Sequence, residues 1–237
     1  VKFLSLILIV CTTHGALAQQ DSIKHKITPI ILPSVLLSYG VVGTYTEIGK
    51  QVNRNIQSSL FTPSKSTHID DYLALAPTAA AYGLNLAGVK GRHNFKDRTI
   101  LIGTSYTLLL PVVLGTKEVT GILRPDGSAY TSFPSGHTAF AFASAEFLRQ
   151  EYKHKSPWYG IAGYTVATTT AGLRMYNNRH WLTDVATGAG LGILSTKAAY
   201  WIHPWLSRHV FTQKKSTATI LPRVTPRQVG IAFSARF

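Results

Sequence analysis

In Gly172-Leu173-Arg174-Met175-Tyr176-Asn177-Asn178-Arg179-His180-Trp181-Leu182-Thr183-Asp184, one apolar stretch ends on an arginine and the next begins on a histidine and an aspartate. Asn177 and Asn178 between them are turn-formers, because their short amides bond local backbone and tolerate left-handed φ. His180 and Asp184 stand four residues apart, so they share one helix face. The carboxylate can hold one ring nitrogen and leave the other free to attack. Arg174 supplies a planar fork of donors matched to an oxyanion such as phosphate. The reading is helix, tight turn, helix, with reactive side chains gathered at the turn.

The same pattern extends outward. Six apolar stretches follow the first residues: Ile27–Tyr45, Tyr72–Val89, Thr99–Thr116, Ser135–Phe147, Trp158–Leu173 and Trp181–Trp205. Each is long enough for a helix rather than a strand, and Gly, Ser, Asn and Pro punctuate the breaks. The expected fold is all-α, a single bundle of about six core helices. Lys117 lies just past the third stretch and Arg124 in the loop after it. Ser135, Gly136 and His137 open the fourth. If consecutive helices run antiparallel, the connections after the third and fifth stretches emerge at one end of the bundle. All of these residues then collect at one pole.

The three blocks read Lys-x6-Arg-Pro (117–125), Pro-Ser-Gly-His (134–137) and Arg-x5-His-x3-Asp (174–184), in that order. Together they resemble the type 2 phosphatidic acid phosphatase superfamily, which includes lipid phosphatases, bacterial non-specific acid phosphatases and vanadium haloperoxidases. The chain departs from the pattern at Leu173, where the family usually carries serine beside the arginine; that serine is not one of the family's proton-transfer groups.

The resemblance implies a phosphatase with His180 as nucleophile, forming a phosphohistidine that water then hydrolyses. Asp184 would fix the tautomer of His180 and stabilise the charge developing on its ring. His137 would be the general acid, since an imidazole transfers protons in both directions near neutrality. Lys117, Arg124 and Arg174 would bind the non-bridging phosphate oxygens. Three cations aimed at one point are costly without an anion between them. Ser135 and the Gly136 N–H lie at a helix N-terminus, where free donors and the dipole favour an anion. Trp181, Tyr176 and Tyr130 read as packing around the entrance. No divalent-metal spacing is present and no cofactor is expected; the cationic cluster stands in for a metal's charge.

A chain of 237 residues suits one well-buried domain. Lys2, the apolar run Phe3–Val10 and Ala16-Leu17-Ala18 form an export signal over residues 1–18. The helical phosphatase domain is expected over 19–211. The one cysteine, Cys11, falls within the signal, which leaves neither a disulfide nor a thiolate metal site. The net charge of +14 attracts anions. Export and the lack of any nucleic-acid signature point it to phosphorylated substrates and an anionic membrane surface. The helices are rich in Ala, Gly, Thr and Tyr, and a cleaved signal and the positive-inside rule give opposite orientations for six spans. Both features favour an exported domain, soluble or lying against a membrane, over an integral one. Residues 212–237 alternate apolar and polar near the end, a strand-like tail. The expected substrates are lipid phosphates: lipid A, phosphatidate, phosphatidylglycerol phosphate or undecaprenyl diphosphate. A soluble periplasmic acid phosphatase is the nearest alternative. A haloperoxidase and a non-enzymatic binder of anionic lipid lie further off.

Overall fold

The structure, a computed structural model, describes residues 28–60, 67–210, 217–225 and 228–236. The expected signal and Cys11 lie outside the described residues. Eight helices follow in order among them: α1 Thr28–Tyr45, α2 Glu47–Leu60, α3 Ile69–Leu73, α4 Ala76–Leu86, α5 Phe95–Thr120, α6 Gly136–Tyr152, α7 Trp158–Tyr176 and α8 Leu182–His209. A hairpin closes the chain, with β1 Thr217–Thr225 antiparallel to β2 Gln228–Arg236 in a register that pairs Thr217 with Arg236 and Thr225 with Gln228. The bundle is therefore helical as the apolar periodicity implies, and the alternating tail pairs within itself.

Helices α6 and α8 form the central pair. α1 and α5 flank α8, while α4 and α7 flank α6. The central pair approaches closely because α8 presents glycine there. A Cβ built on Gly192 would stand 2.2 Å from the Ala139 carbonyl oxygen, and one on Gly188 would stand 2.5 Å from the Ser135 oxygen. Ala139, Ala141, Ala143 and Ala145 are fully buried on α6. Small residues on both helices let backbones touch, which makes the crossing rigid and sets the distance between the motifs that begin each helix.

α5 is bounded by its own local chemistry. Asn94 accepts a hydrogen bond from the Asp97 N–H at 2.9 Å, an N-cap. Gly121 ends the helix in the left-handed region with φ 55°, where a residue without Cβ is unstrained. Leu101, Leu109 and Val113 of α5 are buried, whereas Leu108, Leu110, Val112 and Leu114 are exposed. The middle of the helix is apolar, and the helix is long enough to cross a membrane by length and composition.

At the end of α6 away from the motifs, two buried carboxylates gather cations. Glu146 accepts from Arg149 Nε and Nη2 at 2.7 Å each, from Lys197 Nζ at 2.8 Å and from the Tyr164 hydroxyl at 2.5 Å. Glu151 accepts from the Tyr200 hydroxyl at 2.6 Å and pairs with His93 Nδ1 at 2.7 Å. These contacts tie α6 to α7, to α8 and to the segment ahead of α5.

Two elements lie where no apolar run marks them. α2 follows α1 after a bend of 97°. Its Asn53 bridges Thr183 through Nδ2 to the hydroxyl at 3.0 Å and through Oδ1 from the backbone N–H at 3.2 Å. α3 is one short turn carrying Asp70 and Asp71. Both brace the pole where the motifs meet.

Candidate active site

The loop between α5 and α6 is stitched to the turn between α7 and α8. Asp126 N–H donates to the Asn178 carbonyl at 3.1 Å, and Ser135 N–H donates to the Asp184 carbonyl at 3.0 Å. Trp181 Nε1 donates to the Leu123 carbonyl at 3.0 Å, and Arg179 pairs with Asp126 at 3.0 Å. Lys117 donates to the Thr131 carbonyl. Asn178 adopts φ 57°, which an asparagine accepts more readily than most residues, so the chain reverses and delivers His180 to the inside.

Lys117, Arg124, Gly136, His137, Arg174 and His180 all line one cavity of about 540 Å³. Its opposite wall is apolar, built by Leu110, Val113, Leu114 and Phe140. A smaller cavity of about 360 Å³ adjoins it, sharing Asp71, Arg124, His137 and Arg174 and adding His68, Asn177 and Arg179. The result is an amphiphilic cleft, polar and cationic on one side and apolar on the other.

His180 is buried, and its Nδ1 stands 3.5 Å from Asp184 Oδ2. That separation is long for a hydrogen bond, as is common before substrate draws a site together. Oδ2 also accepts from the Trp181 N–H at 2.9 Å and from the Ser132 hydroxyl at 2.5 Å. The carboxylate is thus fixed behind the ring, leaving Nε2 as the nitrogen available to the cavity. Burial holds the His180 pKa down to about 4; the Asp184 carboxylate opposes that shift, and Arg174 and Lys117 add to it. The ring is neutral over most of the acid range, the state that carries a nucleophilic lone pair.

The Nε atoms of Arg124 and Arg174 are buried without a hydrogen-bond partner among the described residues. Buried unpaired guanidinium donors cost stability unless an acceptor meets them. In a cavity with Lys117 and a helix N-terminus at Gly136, the acceptor they suit is an oxyanion.

Ser135 is not brought to this cavity. It is fully buried, and its hydroxyl pairs with Thr138 Oγ1 at 2.9 Å. The residue packs the start of α6, and Gly136 is the member of the pair that lines the cleft. Asp184 sits behind His180 and does not line the cavity. Among the described residues no three His, Cys, Asp or Glu side chains come together as a metal-holding group.

The acids of α3 are the site residues the motifs did not announce. Asp70 is buried and pairs with Arg174 Nη1 at 2.6 Å. Asp71 Oδ1 stands 2.9 Å from His137 Nε2 and 3.9 Å from Arg174 Nη1. Asn177 ties this segment down, accepting from the Thr67 N–H at 3.1 Å and donating to its carbonyl at 2.8 Å. One signal was present: only ten Asp and Glu residues occur in the whole chain, and two of them stand side by side here.

Residues 104–208 match the PAP2 superfamily. This segment belongs to that family. It contains all three motifs from Lys117 to Asp184, whereas α3 of the same site lies ahead of the PAP2 segment. A lipid A 1-phosphatase of Porphyromonas gingivalis is 42% identical over 160 residues, which are 66% of this chain and 36% of that protein. The chain thus spans about a third of the length of that relative. Among solved structures, Aquifex aeolicus LpxE gives a TM-score of 0.48 at 19% identity, covering 64% of this chain and 93% of that one. A transmembrane PAP2-type phosphatidylglycerolphosphate phosphatase from Bacillus subtilis gives 0.44 at 18% identity, covering 77% and 99%.

Proposed function

We propose that the chain is a phosphatase that hydrolyses lipid phosphate monoesters or diphosphates through a phosphohistidine, without a metal ion. The observation that carries this reading is the Asp184-backed His180 in the same cavity as Lys117, Arg124 and Arg174. Neutral His180 attacks phosphorus through Nε2 in line with the leaving oxygen. The three cations and the Gly136 N–H hold the non-bridging oxygens as their charge shifts. The bond to the leaving oxygen breaks, and His137 supplies its proton. Water then attacks the phosphohistidine, releasing inorganic phosphate and neutral His180. The similar lipid A 1-phosphatase supports placing lipid A phosphates first among the substrates.

The apolar wall favours a lipid over a small water-soluble ester. Leu110 and Leu114 line the cavity and are also exposed on α5, so the cleft runs without a break onto the apolar outside of that helix. Most of α5 is left uncovered by the bundle, and Ile31, Leu32, Val35 and Val42 are likewise exposed on α1. Such a surface suits acyl chains better than water, which supports a membrane-seated enzyme over the soluble alternative. Lys90, Arg92, Lys153 and Lys155 flank the helix ends away from the site. The positive-inside rule then turns the catalytic pole outward, to the periplasmic side.

The test is phosphate release from lipid A, phosphatidate, phosphatidylglycerol phosphate and undecaprenyl diphosphate in mixed micelles, beside p-nitrophenyl phosphate in solution. Release from at least one lipid, abolished by His180→Ala and unchanged by chelator, is the expected result. Equal turnover by His180→Ala would remove the nucleophile, and loss with chelator would remove metal independence. A preference for the soluble ester would favour an acid phosphatase.

A further inference from the structure

We propose that Asp71 is the positioning residue of the general acid: it holds His137 through Nε2, so that proton transfer to and from substrate runs through Nδ1. This rests on the phosphatase reading above. Asp71 Oδ1 lies 2.9 Å from His137 Nε2, so that ring nitrogen is already engaged and Nδ1 is the one left for the substrate. The arrangement parallels the pair behind the nucleophile, in which Asp184 takes one nitrogen of His180 and leaves the other free. Each histidine has its own carboxylate, delivered from a different part of the chain.

The anchoring of α3 argues that Asp71 is held there for this purpose. Asp70 is locked to Arg174 at 2.6 Å, and Asn177 clamps Thr67 through both backbone groups. Asp71, next in sequence, is thereby fixed at the rim shared by both cavities. A carboxylate beside an anion site repels the incoming phosphate, so it is disfavoured unless it serves the chemistry. Its service here is electrostatic. His137 faces Arg174 of α7 and Asp70 and Asp71 of α3, with Lys117 of α5, Arg124 of the following loop and His180 lining the same cavity. Burial and Arg174 oppose a charge on the ring, while Asp71 and Asp70 favour it. Without Asp71 the acid would sit among cations and lose its proton too readily to serve.

The proton count closes. Protonated His137 carries Nε2–H toward Asp71 and Nδ1–H toward the leaving oxygen. As His180 forms its bond to phosphorus and the phosphorus–oxygen bond breaks, the Nδ1 proton moves to the departing oxygen. His137 is then neutral, with its Nε2–H still donated to Asp71 and a lone pair on Nδ1. That lone pair takes a proton from water as the water oxygen attacks phosphorus and the phosphorus–nitrogen bond breaks. Asp71 never gains a proton; it selects the tautomer that makes the second step possible.

The test compares Asp71→Asn, His137→Ala and the double variant in the full chain, on a short-chain phosphatidate and on p-nitrophenyl phosphate. The nitrophenolate leaves without a proton, so only the alkyl ester needs the acid. In single-turnover measurements of the first step, Asp71→Asn should slow release of the alcohol from phosphatidate about 100-fold and release of nitrophenolate, which precedes attack by water, no more than about threefold, within the range of general acid catalysis. Its alkaline limb on phosphatidate should move to lower pH, because losing the carboxylate weakens proton binding by His137. The double variant should be no slower than His137→Ala alone, as expected when two residues act as a unit. Asp71→Glu, which keeps the charge, should hold the limb near its wild-type position and guards against a folding defect. Equal first-step losses on both esters, an unmoved limb, or additive losses in the double variant would each overturn the role of Asp71. Wild type that releases no phosphate from any of the four lipid phosphates or from the aryl ester, or His180→Ala that still does, would instead overturn the phosphatase reading itself.

Discussion

Replacing Asp184 by Asn removes one charge and almost no volume from the group behind His180, the proposed nucleophile. The amide oxygen can still accept from the Trp181 N–H and the Ser132 hydroxyl, both of which now bond Oδ2. The start of α8 therefore survives, less about 1 kcal/mol for a lost negative charge at a helix N-terminus. Catalysis loses far more. At the 3.5 Å between His180 Nδ1 and Asp184 Oδ2, opposite unit charges attract by about 5 kcal/mol at an effective dielectric of about 20. That is a ceiling of about three decades in rate, since each decade corresponds to about 1.4 kcal/mol. The ring is only partly charged at the transition state, which brings the expected fall in kcat to between about 100-fold and 1000-fold. The amide NH₂ also places a donor against Nδ1, favouring the tautomer whose proton blocks Nε2. KM should stay level or drop, because the pocket becomes more cationic toward phosphate. Steady-state kinetics on a micellar lipid phosphate, with a thermal melt of the same preparation, reads both effects. A kcat within tenfold of wild type at unchanged melting temperature would refute this account of the pair.

With its pKa held to about 4 by burial, His180 keeps its nucleophilic lone pair well below neutrality. The acid limb of kcat/KM should therefore lie near pH 4 to 5, and a limb near pH 6.5, where a free imidazole titrates, would count against a buried nucleophile. Gly192→Ala puts a methyl 2.2 Å from the Ala139 carbonyl oxygen. Backbone must shift on both central helices, so stability should fall by about 1–3 kcal/mol or more, read as a lower Tm with activity reduced in proportion to misplacement of the motifs. Glu146→Ala strands Lys197 and Arg149, whose shared carboxylate it removes. A loss of about 3–5 kcal/mol is expected; a Tm drop of only a degree or two in detergent would show that water reaches these cations.

How much of the molecule could be read from residue order depends on the range of each interaction. Helices α1 and α4 to α8 announce themselves through apolar length, and Asn94, Gly121 and the Asn177-Asn178 turn punctuate them by local chemistry. α2 escapes such a reading. It is amphipathic and polar on average, and what holds it is Asn53 on Thr183, 130 residues away. α3 escapes because five residues form no period, and its acids look like ordinary first-turn aspartates ahead of an apolar helix. At Ser135 a helix N-terminus shows that free donors exist, but not which way the hydroxyl turns, and here it turns to Thr138.

Sequence alone determined the six long apolar helices and the placement of His180 and Asp184 on one helix face, because each follows from spacing within a continuous stretch of chain; alternation of those helices then implied one pole for the reactive groups. Tertiary structure alone decided that Asp70 meets Arg174 across 104 residues, that Asp71 meets His137, and that the cationic cleft has an apolar wall opening onto α5. Those contacts form only when α6 and α8 pack through their small residues and draw separate segments into one pole. No periodicity records them, since the energy that selects them arises between segments and not within any of them.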